Sequence, residues 1–405
     1  MINTFNLQDF ITSSVTQRDE SLLKQDYQNY DTKLKARIEG KSVLVIGGAG
    51  TIGSNYIKVL LRYNPSRLYI IDINENGLTE LVRDLRSTIG YNIPDDFKTY
   101  PINFGDKVFE KILRNEGPFE IVANFAAHKH VRSEKDHYSI EAMIDNNVLK
   151  AKHLLDLLVE FPPEHFFCVS TDKAANPVNV MGASKKLMEE IILAYSEVIP
   201  ITTARFANVA FSNGSLPFGF IERIMKKQPL SAPLGIKRYF VSPIEAGEIC
   251  LMACVMGNSG EIFFPKLNET NFETFSNIAE RFLRDLGYEP DYCKTEQEAK
   301  EKALLLTNES KKYPVFFFQS NTSGEKAFEE FYTVGETLDM ESFEQLGIIK
   351  NPKSRDFDEI NGLFQKLAIT FNEDELTKEK IIALLSEILP NFNHIETGKS
   401  LDQKM

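Results

Sequence analysis

Ser170, Thr171, Asp172 and Lys173 set hydroxyls, a carboxyl and an amine side by side, directly after the apolar run His165–Val169. Carboxyl and amine groups are proton carriers, suited to acid and base work on a bound substrate. Twelve residues beyond Lys173, the sequence Met181-Gly182-Ala183-Ser184-Lys185 brings a second amine. Met181 and Lys185 are four apart and share one face of a helix there. In an open parallel sheet, ligands bind beyond the carboxyl ends of the strands, so this cluster stands where chemistry would occur. The plain alternative is a solvated ion pair at a strand end.

The stretch 41–61 supplies the element that would hold a cofactor beside that cluster. Val43, Leu44, Val45 and Ile46 form a continuous apolar run, as in a buried parallel strand. Gly47, Gly50 and Gly53 follow at G-x-x-G-x-x-G spacing around Thr51 and Ile52, and Ile57, Leu60 and Leu61 give one apolar helix face. Strand, glycine turn and helix in that order make an anion site, because backbone can approach a pyrophosphate and the helix N-terminus offers free N–H groups. A tight turn with no ligand is the alternative. A second apolar strand, 68–71, ends at Asp72, 19 residues beyond Gly53, where a dinucleotide fold places the carboxylate that accepts from the adenosine ribose. A carboxylate there disfavours a 2′-phosphate, so NAD is expected rather than NADP; otherwise Asp72 is an acidic residue in the turn DINENG.

Further along, a short strand is expected at 100–104, and 121–125 leads into Ala126 and Ala127, whose small size lets a flat ring or ribose approach the backbone. His128 and His130 stand two apart, but no carboxylate or cysteine completes a ligand set, and no metal is expected. The periodicity predicts one helix over 140–158 with Asn146 and Asn147 in its middle, either exposed or bonded to a neighbouring loop.

The 405 residues fit two joined lobes with extensions, and 42% hydrophobic and 26% charged residues are ordinary for a soluble protein. A net charge of -12 disfavours nucleic acid or an anionic membrane as main partner. Cys168, Cys250, Cys254 and Cys293 form no disulfide or zinc pattern and read as buried thiols. No stretch is apolar enough to span a bilayer and no signal-peptide pattern opens the chain, so a cytoplasmic location is expected. The βα rhythm predicts an α/β fold, a doubly wound parallel Rossmann sheet with a smaller α/β C-terminal substrate lobe. The expected division is a helical extension at 1–40, an NAD-binding domain at 41–215, an interleaved substrate lobe at 216–350 and a helical tail at 351–405. In the extension, Leu23, Tyr27, Tyr30, Leu34 and Ile38 recur at helical spacing; in the tail, one helix is expected at 376–389 ahead of a polar end.

GGAGTIG, STDK and MGASK within about 140 residues resemble the extended short-chain dehydrogenase/reductases. More narrowly, the chain is similar to the polysaccharide-biosynthesis nucleotide-sugar 4,6-dehydratases that act on UDP-N-acetylglucosamine. IEGKSVLV, DINENGLTEL, NFAAHKHV, STDKAANPVNVMGASK, RFANV, KRYFVSPIEA, GEIFF and SGEKAFEE fall in the family's order over roughly residues 30–340. Larger relatives carry membrane helices ahead of this region; the likeness here is to a soluble form.

The resemblance implies oxidation at sugar C4, elimination of water across C5 and C6, and return of hydride to C6, leaving a 4-keto-6-deoxy sugar on a tightly held cofactor. It implies Asp172 as acid for the departing C6 oxygen, Lys173 as base at C5, Thr171 on the C4 oxygen and Lys185 on the nicotinamide ribose. The wider superfamily has a tyrosine base where Met181 stands, and a thioether carries no proton. Many 4,6-dehydratases share the methionine, so the C4 proton must leave through Lys185, Thr171, Asp172 or water. Cofactor contacts are implied for Gly47, Gly50, Thr51, Ile52, Gly53, Asp72, Asn103, Phe104, Ala126, Ala127, Asn147 and Lys185, and substrate contacts for Lys129, His130, Asn208, Arg238 and Glu325. Asn103 replaces a usual aspartate near the adenine and keeps an acceptor oxygen. Thr322-Ser323-Gly324-Glu325-Lys326 lacks the family's arginine, for which Arg238, Lys237 or Lys129 could compensate; UDP and GDP sugars both stay open. A homo-oligomer is implied as well. An epimerase and a non-enzymatic NAD-binding scaffold are the competing readings.

Overall fold

Val43 and Val45 are buried in one apolar core, and Leu44 and Ile46 in another. A strand covered on both faces must be apolar at every position, which explains the unbroken run before the glycines. The computed structural model describes residues 5–319, 328, 330–350, 352, 355–373 and 375–396. Its strands are β1 (Ser42–Ile46), β2 (Arg67–Ile71), β3 (Asp96–Tyr100), β4 (Ile121–Asn124), β5 (His165–Val169) and β6 (Ile201–Ala204). They continue with β7 (Asn208–Val209), β8 (Leu230–Leu234), β9 (Lys237–Val241), β10 (Ile262–Pro265) and β11 (Phe272–Thr274). The last are β12 (Glu289–Tyr292), β13 (Lys312–Gln319), β14 (Thr337–Asp339) and β15 (Leu346–Lys350).

Among the described residues, nine strands form one sheet in the order β14-β15-β10-β6-β5-β4-β1-β2-β3. It is parallel from β3 across to β10, and β15 and β14 add an antiparallel edge. This is the doubly wound Rossmann arrangement. The order reverses between β1 and β4, so the crevice for a ligand opens at their carboxyl ends. The third strand runs 96–100 rather than 100–104, pairing Ile71 with Tyr100. Its half-polar sequence DFKTY suits an edge strand and lacks the apolar run of its neighbours.

The helix expected over 140–158 is broken into His137–Ile144, a π-helical turn at Asp145–Leu149 and Lys150–Glu160. The helix Pro243–Met256 is buried along most of its length and starts with a capping box between Ser242 and Glu245. It crosses Thr51–Leu60 at Gly247, where a Cβ would lie 2.5 Å from the Asn55 carbonyl carbon. Only glycine lets the two backbones meet there.

Smaller sheets, β11-β9-β7 and β12-β13-β8, surround a third core containing Phe211, Phe220, Phe240 and Phe282. The N-terminal segment enters that core. Phe10, Ile11 and Val15 are buried in it, with the Phe10 ring edge-on to Phe211 at 5.7 Å. The helix Lys24–Ile38 buries Leu34 and Ile38 against the main body, as its spacing predicts. Among its described residues the tail holds two helices, Phe357–Phe371 and Lys378–Ile388, not one. Their Ile360, Leu363, Leu367, Ile381 and Leu385 join the core that contains helix Val180–Tyr195. No described helix is long and apolar enough to cross a membrane.

Candidate active site

The glycines after β1 do different work. Gly47 has φ +76°, and a Cβ on it would lie 2.5 Å from the Ala126 nitrogen; on Gly53 it would lie 2.3 Å from the Gly47 carbonyl oxygen. Those two let the turn close on itself and on the end of β4. Around Gly50 the nearest atom to such a Cβ is 3.4 Å away, so the fold tolerates a side chain there. Its bareness instead keeps open a cavity of about 340 Å³ lined by Gly47, Gly50, Gly53, Asp72, Phe104 and Ala126, among others. The N-terminus of helix Thr51–Leu60 opens on the same space, with Thr51 and Ile52 in its wall. These features fit a dinucleotide: a bare cradle, free helix N–H groups and a carboxylate at the end of β2. Asp72 accepts from the Ala49 N–H through Oδ2 and from the Asn74 N–H through Oδ1, both at 2.9 Å. Each oxygen keeps a lone pair for a ribose hydroxyl.

The cavity wall also contains Asn103 and Ala127, and it adds Ile73, Ile102, His128, Asp145, Asn146 and Lys150, which sequence reasoning did not assign. Asn103 Oδ1 accepts from the Gly105 N–H at 2.8 Å and keeps one lone pair beside the amide N–H₂. Asn147 lies one step behind the wall. Its amide bonds both the N–H and the C=O of His128, at 2.8 and 2.9 Å, and donates to Ser184 Oγ at 3.0 Å. The side chain thus ties the alanine loop to the helix that carries Lys185, across the π-helical turn.

Asp172 and Lys173 form a pair at the end of β5. Lys173 Nζ donates to Asp172 Oδ1 at 3.0 Å, and Thr171 Oγ1 donates to the same oxygen at 2.9 Å. The Asp172 side chain is 3% exposed and that of Lys173 19%. This is a sheltered pair, not the solvated one that would need no explanation. Lys185 Nζ donates to the Val169 carbonyl at 2.7 Å, and burial lowers its pKa against the opposing pull of Cys168 and Glu189. Met181 is buried on the same helix. Ser170, by contrast, is committed elsewhere: its hydroxyl donates to Glu189 at 2.6 Å, inside the buried pair of Glu189 with Arg205.

The expected substrate residues scatter around this centre. His130 lines a second cavity of about 470 Å³ with Ser133, Lys135 and Gly214. It shares His128 and Ala142 with the first, so the two spaces adjoin. Lys129 lines the first cavity, and its ammonium donates to the Asn213 carbonyl at 2.9 Å; the Asn213 N–H in turn donates to Thr51 Oγ1 at 2.9 Å. Asn208 places its amide nitrogen in a buried position with no hydrogen-bond partner among the described residues. Arg238 is buried on β9, the neighbour of β7. Glu325 lies outside the described residues. Among those residues no group of His, Cys, Asp and Glu is placed to hold a metal.

Residues 43–351 match the family described as polysaccharide biosynthesis protein. An uncharacterized membrane protein of Methanocaldococcus jannaschii is 29% identical over 359 residues, 86% of this chain and 96% of its own. A capsular polysaccharide biosynthesis protein of Staphylococcus aureus is 31% identical over 249 residues; the match spans 60% of this chain and 41% of that longer protein. An inverting UDP-N-acetylglucosamine 4,6-dehydratase of Campylobacter jejuni is 27% identical over 258 residues, 62% of this chain and 73% of its own. Among solved structures, Pen from Bacillus thuringiensis superposes with a TM-score of 0.62 at 20% identity, covering 79% of this chain and 90% of that one. A dTDP-glucose 4,6-dehydratase from Streptomyces venezuelae gives a TM-score of 0.53 at 18% identity, covering 71% and 87%. At these identities the two structures show the shared fold.

Proposed function

The chain belongs to the polysaccharide biosynthesis protein family, in the extended short-chain dehydrogenase/reductase fold, and from that premise we propose that it is a nucleotide-sugar 4,6-dehydratase. Its substrate on this reading is UDP-N-acetylglucosamine and its cofactor NAD. The observation that carries the reading is the sheltered Asp172–Lys173 pair with Thr171 beside it, at a strand end next to the dinucleotide cleft. The sugar dehydratases among its relatives and structural neighbours support it.

Gly50, the N-terminus of helix Thr51–Leu60 and Asp72 would hold the pyrophosphate and adenosine ribose; the carboxylate repels a 2′-phosphate, which favours NAD. When bound, the nicotinamide supplies a hydride acceptor for sugar C4 and a donor for C6. The protein's own task is proton handling. Elimination needs a base at C5 and an acid at the C6 oxygen. Movement of one proton along the 3.0 Å hydrogen bond from Lys173 to Asp172 yields both, an amine and a carboxylic acid. Thr171 would hold the C4 oxygen, and the unpartnered Asn208 amide is a donor for the substrate's oxygens. Met181 cannot take the C4 proton.

Incubation of the protein with UDP-N-acetylglucosamine should give a product lighter by one water, seen by mass spectrometry. An isomer of unchanged mass would mean an epimerase. Unchanged starting material across UDP- and GDP-N-acetylhexosamines would overturn the enzymatic reading.

A further inference from the structure

The loop leading into the helix that carries Met181 and Lys185 is fastened by residues more than two hundred positions downstream. The Asn393 N–H donates to the Pro177 carbonyl at 3.2 Å and the Ile395 N–H to the Val178 carbonyl at 3.0 Å. The end of the described chain thus runs beside the loop between Lys173 and that helix. Between those two backbone bonds, His394 Nε2 meets Glu134 Oε1, both side chains being less than one-tenth exposed. The other oxygen of Glu134 accepts the Val180 N–H at 2.8 Å. Val180 is the first residue of the helix, and its N–H is one of those that no intrahelical carbonyl can satisfy. Lys378 adds a bond to the Glu134 carbonyl at 3.3 Å.

This first turn is in close touch with the catalytic pair. A Cβ on Gly182 would lie 2.7 Å from the Lys173 carbonyl oxygen, so the helix backbone rests against the residue proposed as base. A shift of the turn moves Lys173. The proton transfers proposed above depend on Lys173 and Asp172 meeting the sugar within fractions of an ångström. Cofactor binding depends on this turn less, because most of the dinucleotide cavity is walled by the glycine turn and by residues 71–73, 102–104, 125–129, 142, 145–146 and 150.

We propose that the C-terminal segment through Ile395 is a clamp on the catalytic loop, and that His394 and Glu134 are positioning residues for the reaction at Asp172 and Lys173. The proposal rests on the dehydratase reading for its kinetic arm and stands apart from it for its structural arm. Neither side chain reaches the reacting atoms on this account. The imidazole fixes the glutamate, the glutamate fixes the helix start, and the helix start fixes Lys173.

The test compares His394→Ala with His394→Gln in the full chain. Gln keeps an N–H donor for Glu134. Three quantities are read: kcat and KM for the sugar nucleotide, the affinity for NAD by titration, and amide hydrogen exchange across 174–184. The expected result for His394→Ala is a fall in kcat of about tenfold or more, in line with a misplaced catalytic group, with KM and NAD affinity changed less than about twofold. Exchange across 174–184 rises in the same variant, and His394→Gln recovers most of both effects. Unchanged exchange overturns the clamp. Faster exchange with unchanged kcat overturns the positioning role. A loss of kcat that follows a general loss of thermal stability, unrepaired by Gln, also overturns it. If no sugar nucleotide is turned over by the parent protein, the dehydratase reading fails, while exchange and NAD affinity still judge the clamp.

Discussion

The cofactor cleft and the catalytic cluster are neighbours built on different plans. The cleft is mostly backbone. Its bare glycines and helix N-terminus come from one short strand–turn–helix unit set against the end of β4 at Ala126, and Asp72 is bound by the amides of residues 49 and 74. The cluster is side chains bonded to one another, and the strand end that carries it is braced from far away through Ser170. Ser170 leans on Glu189, Glu189 on Arg205, and Arg205 on Glu336 and the Phe331 carbonyl. Backbone sites can be assembled by local sequence, whereas side-chain sites need a finished tertiary structure around them. One plan gives a binding site that should survive damage to the chemistry; the other gives chemistry that should fail when remote supports are lost.

The largest effect should come from Lys173→Ala. Removing a positioned proton carrier lowers turnover by about 10² to 10⁴. NAD affinity, measured by titration, should stay within about twofold. An equal loss of both would show that the two regions are not separable. Next comes Arg205→Ala. The Arg205 and Glu189 side chains are fully buried, and removing one partner of such a pair costs about 3–5 kcal/mol, read by denaturant unfolding. Acid should expose the same pair. Burial pushes the Glu189 carboxyl up, but Arg205, Lys186 and the hydroxyl of Ser170 outweigh it and hold it at about 2. A folded-state pKa below the unfolded one contributes stability that is complete above the usual glutamate range. That contribution drains as pH falls toward 2. In Arg205→Ala burial meets less opposition, so this slope should flatten or reverse between pH 5 and 3. A slope identical to that of the parent would show that another group controls acid stability.

The same contrast explains what could be read from the chain. Val43–Ile46, the three glycines and Asp72 are legible because their order and spacing form one local strand–turn–helix–strand pattern, even though Gly47 also answers to the distant Ala126. The pairing of Asp172 with Lys173 is legible for a similar reason: the two are adjacent and end an apolar strand. The break in the helix at 145–149 has no local signal, whereas the bonding of Asn147 at its centre to the loop at His128 is one of the two roles its position suggests. The unexpected tail helix, Phe357–Phe371, does carry a local signal in Ile360, Leu363 and Leu367 at helical spacing, whereas the insertion of Phe10 into the smaller lobe has no local signal for a distant core. Glu134 had no sequence signature at all. Its role appears only when the chain end arrives beside it.

The smallest and sharpest separation lies within the cleft itself, between Gly53→Ala and Gly50→Ala. Both add one methyl group to the same turn. At Gly53 the methyl would stand 2.3 Å from the Gly47 carbonyl oxygen, a rigid backbone atom, so the turn must shift and the fold should lose about 1–3 kcal/mol. At Gly50 the nearest protein atom is 3.4 Å away, an ordinary contact, and the thermal midpoint should hardly move. The methyl there projects into space that a pyrophosphate would need, so NAD should bind about tenfold more weakly, roughly 1.4 kcal/mol. Turnover at saturating NAD should recover in Gly50→Ala, since the cluster at Asp172 and Lys173 is untouched. If Gly50→Ala instead destabilises the protein while leaving NAD affinity intact, then Gly50 serves the turn and the ligand lies elsewhere. The glycine spacing would then be a feature of the fold alone.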